Sequence, residues 1–332
     1  MSASVLSWLG GSLLSPIGID VGERGIEATQ LRKRGPALEL VAAASIPWKA
    51  TGPTSGVGAM RRLDAAELDR IMVVLDRRGF VGDRVVLAAP VDALLSAGLE
   101  LPPRLGTSQR EQLTRMELAR AMKRDPSSME VGSWPLPTPG RGGEATHIAA
   151  VGWPMDSATA ILGACDEVGV TVEAVDVRCL ALARACKPVL AGEVTPLRLI
   201  VDLGWNAAHA LVMHHSSVVY ERQIVDAGVR ALVSPLAKDL SCDESVALRI
   251  LKTSLPEPDG RRRENGAALA SARVRGMVAT LSRELAMALA YIAGRYPSGT
   301  RSEGLPVGTM WLCGCGCGVA GLSRMISEHV GV

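Results

Sequence analysis

The chain has 332 residues, 48% of them hydrophobic and 21% charged, a balance that supports a sizeable core and argues against wholesale disorder. A formal net charge of +2 argues against a dedicated nucleic-acid binder, and seven cysteines, an odd number, fit a reducing compartment better than a disulfide framework. No uninterrupted apolar run approaches the ~20 residues of a membrane span. The apolar segment over 5–14 is too short for a secretion signal and lacks its basic start, so the chain reads as cytoplasmic.

In chain order, the first apolar strand is Ile17-Gly18-Ile19-Asp20-Val21-Gly22, which passes through Asp-x-Gly and continues from Ile26 to Leu31. A third strand follows over 37–46, then a Gly/Pro/Ser-rich stretch over 47–58. Leu63, Leu68, Ile71, Met72 and Leu75 recur at helical spacing, Gly79 closes that helix, and 84–89 reads as the next strand. Residues 91–153 read as an insertion with a small α+β pattern of its own. It has a strand over 94–101, a break at Pro102-Pro103, and a helix over 108–123 with Leu113, Met116, Ala119 and Met122 on one face. A polar hairpin through Trp134 and Gly143 leads to a strand over 147–151. A helix over 156–168, a strand over 170–175 and a helix around Leu180 complete the half.

The second half restarts the pattern with Leu199-Ile200-Val201-Asp202-Leu203-Gly204. Its hairpin turns at His214-His215-Ser216-Ser217 and returns over 218–224. Helices are predicted after Gly228 and after Cys242-Asp243-Glu244. A polar loop over 256–266, with Arg261-Arg262-Arg263, reads as solvated. A long core helix follows over 272–295, then a strand over 309–313, a glycine-rich turn and a helix over 322–329.

One Asp-x-Gly turn means little, because both are ordinary turn residues. Two, at matching points of a repeated pattern, predict a duplicated fold in which each half turns an acidic side chain and a tight glycine toward one cleft. Such turns present backbone N–H groups to phosphate oxygens, and their carboxylates hold Mg²⁺ directly or through water. Cys313, Cys315 and Cys317 alternate with glycine and on a strand would all point one way, as in a soft-metal site. Structural zinc sites use C-x₂-C pairs, so small buried residues beside tight turns is the favoured reading. His214-His215 falls in a turn and reads as solvent-exposed, while His147 and His209 read as satisfied within their sheets.

In this order of motifs the whole chain resembles the PilM family of type IV pilus assembly proteins, members of the actin-like ATPase superfamily and relatives of FtsA. The two Asp-x-Gly turns are similar to the family's phosphate loops. Arg222-Gln223-Ile224, followed by Gly228 and Leu232, is similar to the segment after its second hairpin. Leu312-Cys313-Gly314-Cys315-Gly316, ending in Val319-Ala320-Gly321-Leu322, looks like its adenosine loop. The insertion falls between the same elements, with Glu117 where the family's inserted helix carries an acid.

The resemblance implies an α/β, actin-like, two-lobed ribonuclease-H-like fold with a small inserted α+β subdomain. The first lobe would span 1–90 and 154–196, the insertion 91–153 and the second lobe 197–332. It implies ATP and Mg²⁺, with Asp20 and Asp202 toward the metal and Gly22, Gly204, Gly228, Gly314, Gly316 and Lys252 toward the nucleotide. It identifies no catalytic residue, and activity at most as a weak ATPase. The pattern departs from the family at Glu23-Arg24, Trp205-Asn206, Cys315 and Leu248. The implied partner is the cytoplasmic tail of an inner-membrane assembly protein, placing the chain at the cytoplasmic face of the inner membrane, with room for self-association. Two alternatives stay open: a nucleotide-independent adaptor of a type II secretion-like platform, whose relatives continue into a membrane helix where this chain ends at Val332, and an ATPase or small-molecule kinase. The stripe Val5, Trp8, Leu9 and Leu13 either touches the membrane surface or docks on the first lobe.

Overall fold

The computed structural model describes residues 14–35, 37–49, 63–89, 94–138, 145–190, 197–215, 217–253, 265–296 and 307–330. The N-terminal stripe, the Arg261-Arg262-Arg263 run and most of the 47–58 stretch lie outside the described residues. The chain divides into two units, Met1–Pro135 with Glu144–Leu182, and Leu136–Gly143 with Ala183–Val332.

The first unit opens with β1 (Ile17–Val21), β2 (Gly25–Arg34) and β3 (Ala37–Pro47), then α1 (Ala65–Arg77) and β4 (Arg84–Ala89). Period-2 alternation shapes the meander: Ile26, Ala28 and Gln30 are buried while Glu27 and Thr29 are exposed. Helix α1 starts because the Asp64 side chain accepts the Glu67 amide at 2.8 Å, and it ends near Gly79, whose φ of 86° suits glycine. Its buried stripe is Leu68, Ile71 and Leu75. After the inserted elements come α3 (Met155–Glu167), β8 (Thr171–Val177) and α4 (Arg178–Leu190). The sheet order is β3-β2-β1-β4-β8, antiparallel across β1–β3 and parallel from β1 through β4 to β8.

One polar side chain fixes this core. Gln30 is 1% exposed. Its amide donates to Ser15 O at 3.0 Å and Val81 O at 2.8 Å, and accepts the Val81 amide at 2.9 Å. Gln30→Ala removes these three bonds and leaves a gap at a buried position, while the freed backbone groups of Ser15 and Val81 can reach water, so it is expected to lower stability by about 1–2 kcal/mol in urea unfolding. A loss below about 0.5 kcal/mol would show the contacts to be dispensable.

The insertion consists of β5 (Leu95–Leu101), α2 (Thr107–Met122), β6 (Met129–Pro135) and β7 (Thr146–Pro154), with sheet order β5-β7-β6. Leu118 and Ala119 of α2 pack with Met129 and Ala150. His147 is buried, with Nδ1 3.5 Å from Glu100 directly opposite on β5.

The second unit repeats the opening of the first. Strands β9 (Leu197–Leu203), β10 (Ala208–His214) and β11 (Ser217–Ile224) form an antiparallel meander, and β12 (Val307–Cys313) runs parallel to β9. The order β11-β10-β9-β12 matches β3-β2-β1-β4, so the duplication expected from the two Asp-x-Gly turns is present in the topology. Helices α5 (Arg230–Asp239), α6 (Glu244–Thr253), α7 (Asn265–Arg295) and α8 (Leu322–Val330) complete it. Leu199, Ile200, Val201 and Leu203 are all buried in succession, the signature of a strand covered on both faces.

Two expectations change here. The long helix begins at Asn265 rather than 272. Gly266 allows this, because even a methyl at that position would lie 3.3 Å from the Leu240 side chain. Over Gly266–Arg295 this helix is long and apolar enough to cross a membrane by length and composition alone, a test that a core helix also passes. It packs Val278, Leu281, Leu285, Leu289 and Ile292 into the second unit's core. Finally, His214 is not in a solvent-exposed loop: it ends β10 and stacks on Tyr296 with ring centroids 5.2 Å apart, and of the two histidines only His215, at φ 54°, lies in the turn.

Burial, then the neighbouring His215, lowers the His214 pKa from its ordinary value. The unfolded chain therefore takes up this proton first. The stabilising effect of a neutral His214 is complete above about 6.5. It is lost as pH falls from there through the lowered folded value. His214→Phe, which keeps the stacking, should flatten the fall in stability between pH values of about 7 and 5; an unchanged slope would assign it to other groups.

Candidate functional site

Both predicted acidic residues stand at the carboxyl end of a parallel strand pair, the edge where open α/β sheets bind ligands. Asp20 on β1 pairs with Ala88 of β4, and Asp202 on β9 pairs with Cys313 of β12.

In the first unit the turn after Asp20 is closed by the Gly22 amide donating to Gly25 O at 2.9 Å. The Trp48 indole donates to Gly22 O at 3.0 Å, and the Trp48 amide to Arg24 O at 3.2 Å, tying the turn to the end of β3. Gly25 is required by space, because a methyl there would lie 2.8 Å from the Ile46 carbonyl carbon. Glu23 and Arg24 are exposed. Arg178, the first residue of α4, places Nε 3.6 Å from Asp20 Oδ2, both side chains about a third exposed. The carboxylate thus already faces a cation of its own unit. Sequence reading missed Arg178: it follows β8, whose neighbour in the sheet is not written in local spacing.

In the second unit the turn residues converge. Asp202 is 5% exposed, and its Oδ1 lies against the backbone of Gly314, whose φ is 85°. A methyl on Gly314 would overlap that carboxylate and sit 2.7 Å from Leu203 O. A methyl on Gly316 would come within 2.6 Å of Leu203 Cβ, and one on Gly204 within 2.7 Å of Ala207 O. Gly228 rests on the Asn206–Ala207 peptide, where a methyl would overlap Asn206 and lie 2.6 Å from Ala207 N. The amides of Val229 and Arg230, at the start of α5, donate to Gly204 O at 3.0 Å and Trp205 O at 2.8 Å. Asp202, Gly204, Gly228, Gly314 and Gly316 therefore form one close-packed set. Lys252 joins its edge, because a methyl on Gly318 would lie 3.5 Å from Lys252 Cε.

Trp205, bulky where the resemblance leads to a small residue, packs against the unit's hydrophobic core. The cysteines do not alternate along a strand: β12 ends at Cys313, and Cys315–Gly318 is a turn of 3₁₀-helix. Cys313 Sγ donates to Val201 O at 3.7 Å and Cys315 Sγ to Leu203 O at 3.5 Å. Cys315 and Cys317 are exposed residues, which corrects the expectation of buried ones. Desolvation at the sulfur, then the charge of Asp202, raises the Cys317 pKa. Among the described residues no group of three or more His, Cys, Asp or Glu side chains is placed to hold a metal ion. His209 Nδ1 lies 3.9 Å from Glu221 across β10–β11.

The second unit thus places a hard carboxylate oxygen, 5% exposed, against glycine backbone that packs on the chain's own atoms, with Lys252 Cε close to Gly318.

No family model matches the chain, and no curated protein matches it. Solved structures do. The PilM–PilN type IV pilus biogenesis complex is 19% identical with a TM-score of 0.74, covering 96% of this chain and 86% of that one. The ethanolamine utilization protein EutJ from Carboxydothermus hydrogenoformans is 13% identical with a TM-score of 0.50, covering 95% of this chain and 82% of that one. The chain therefore has the actin-like ATPase fold that the family resemblance implied, and it is similar to the PilM–PilN structure over nearly its whole length.

Proposed function

We propose that this chain is a scaffold of type IV pilus assembly, seated at the cytoplasmic face of the inner membrane by binding the cytoplasmic tail of an inner-membrane assembly protein. The supporting observation is the likeness to the PilM–PilN complex, at a TM-score of 0.74 across 96% of the chain. Capture of an extended tail needs only a groove or sheet edge and a few apolar pockets, so it does not depend on the departures at Glu23 or Trp205.

Mg²⁺–ATP is the proposed conformational ligand. Asp202 would face the metal, the backbone of Gly204, Gly228, Gly314 and Gly316 would receive the nucleotide, and Lys252 would meet its phosphates as a point charge. Asp20 and Gly22 are the first unit's counterpart, with Arg178 holding the Asp20 carboxylate in place. A bound nucleotide would supply phosphate charge that these groups recognise; no bond-breaking step is assigned to any residue.

Co-expression with the tail-bearing assembly protein of the same organism tests the scaffold reading. The two are expected to co-purify through that protein's first cytoplasmic residues. Co-purification that survives deletion of the tail, or none at all, would contradict it. Steady ATP turnover stimulated by a small-molecule acceptor would favour a kinase instead.

A further inference from the structure

The register of the first sheet sets three carboxylates on one face at the end of β1. Asp20 lies directly opposite Glu27 of β2, and Ala88 of β4 stands between Asp20 and Asp176 of β8. Paired residues of neighbouring strands point to the same face, and the buried side chains Ile19, Ile26 and Leu87 mark the other one. Like charges directly opposite on adjacent strands destabilise a sheet unless a cation meets them. The Ser45 hydroxyl donates to Glu27 at 2.7 Å, which orients that carboxylate without neutralising it.

Arg178 supplies the cation. Just past Asp176 it opens α4, and its Nε comes 3.6 Å from Asp20 Oδ2. A cation in the first turn of a helix opposes the helix dipole, so the start of α4 does not by itself require an arginine. The carboxylates do. A guanidinium stays charged at any physiological pH and is tethered to the chain, so a chelator cannot withdraw it as it would a metal ion.

We propose that Arg178 stands in for a metal ion at the first Asp-x-Gly turn: it is the protein's own counter-ion for Asp20 and keeps divalent cations away from that carboxylate. This deepens the reading of Asp20 as the first unit's counterpart of Asp202. Any dependence of ligand binding on Mg²⁺ then comes from Asp202, and Arg178 acts as a positioning residue for Asp20. A divalent cation beside the guanidinium would be repelled at close range. Removing Arg178 should therefore uncover a cation site at Asp20 and Glu27, two hard oxygen donors on neighbouring strands.

Titration of the full chain with Mn²⁺ alone, followed by the paramagnetic resonance signal of the unbound ion, tests it. Mn²⁺ takes the same oxygen ligands as Mg²⁺. Arg178→Gln is expected to raise the affinity for Mn²⁺ about tenfold, because one positive charge leaves the site. The gain should vanish in Arg178→Gln/Asp20→Asn, and Arg178→Lys, which keeps the charge, should behave as the parent protein does. Asp20→Asn alone should not weaken Mn²⁺ binding. The proposal is overturned if it does, since Asp20 would then hold the metal in the parent protein. It is also overturned if Arg178→Gln gains no affinity, or if Arg178→Lys gains as much. Neither nucleotide nor tail peptide is present in this titration, so its failure is separate from failure of the proposed function.

Discussion

Gly228→Ala is expected to destabilise the protein by about 3 kcal/mol, the size reserved for substitutions with no room to relax. The added methyl would overlap the Asn206 carbonyl group and lie 2.6 Å from Ala207 N, all of it backbone. Neither side can yield cheaply, because the next two amides, of Val229 and Arg230, are bonded to the carbonyls of Gly204 and Trp205. Gly314→Ala should cost a similar amount by a different route, a φ of 85° together with overlap of the Asp202 carboxylate. Gly276→Ala is the control. It lies exposed within α7 with open space around it, and should gain about 0.5–1 kcal/mol from the lost flexibility of the unfolded chain. Urea unfolding of the three variants checks the ordering; a mild Gly228→Ala would mean that the turn and the start of α5 move apart easily.

Asp202→Asn is expected to remove the stabilisation that Mg²⁺–ATP confers. A ligand that binds only the folded chain raises its stability by about 2.7 kcal/mol at a hundredfold excess over Kd. The amide keeps the shape of the side chain beside Gly314 and deletes the charge that a divalent cation would meet. The shift in melting temperature should be clear and Mg²⁺-dependent in the parent protein, and at most a small Mg²⁺-independent remnant in the variant. Lys252→Ala, at the rim, should weaken ATP without changing the dependence on Mg²⁺. If the parent protein shows no shift at millimolar ATP, the close packing of Asp202, Gly204, Gly228, Gly314 and Gly316 serves the fold alone, and the scaffold works without nucleotide.

Much of the fold was legible because duplication doubles each weak signal. Asp20-Val21-Gly22 or Asp202-Leu203-Gly204 alone is an ordinary turn, but each follows an apolar strand and precedes a hairpin, and the sheet orders repeat accordingly. The glycines of the second unit were named from the family resemblance alone, and the structure adds a packing reason for them, because no side chain fits where the chain passes so close to itself. What stayed hidden depends on contacts between distant segments. Arg178 meets Asp20 only because β8 lies beyond β4 in the sheet. His214 looked like a turn residue until Tyr296, far along the chain, provided its stacking partner. The cysteines alternate in sequence, but the strand stops at Cys313 and the helical turn from Cys315 breaks the alternation in space.

The most direct measurement is calorimetric titration of the full chain with a synthetic peptide of the assembly protein's cytoplasmic tail, in the presence and absence of Mg²⁺–ATP. The scaffold reading predicts saturable one-to-one binding in both conditions, with an affinity that differs between them if nucleotide and tail are linked. No binding of the peptide in either condition would contradict it.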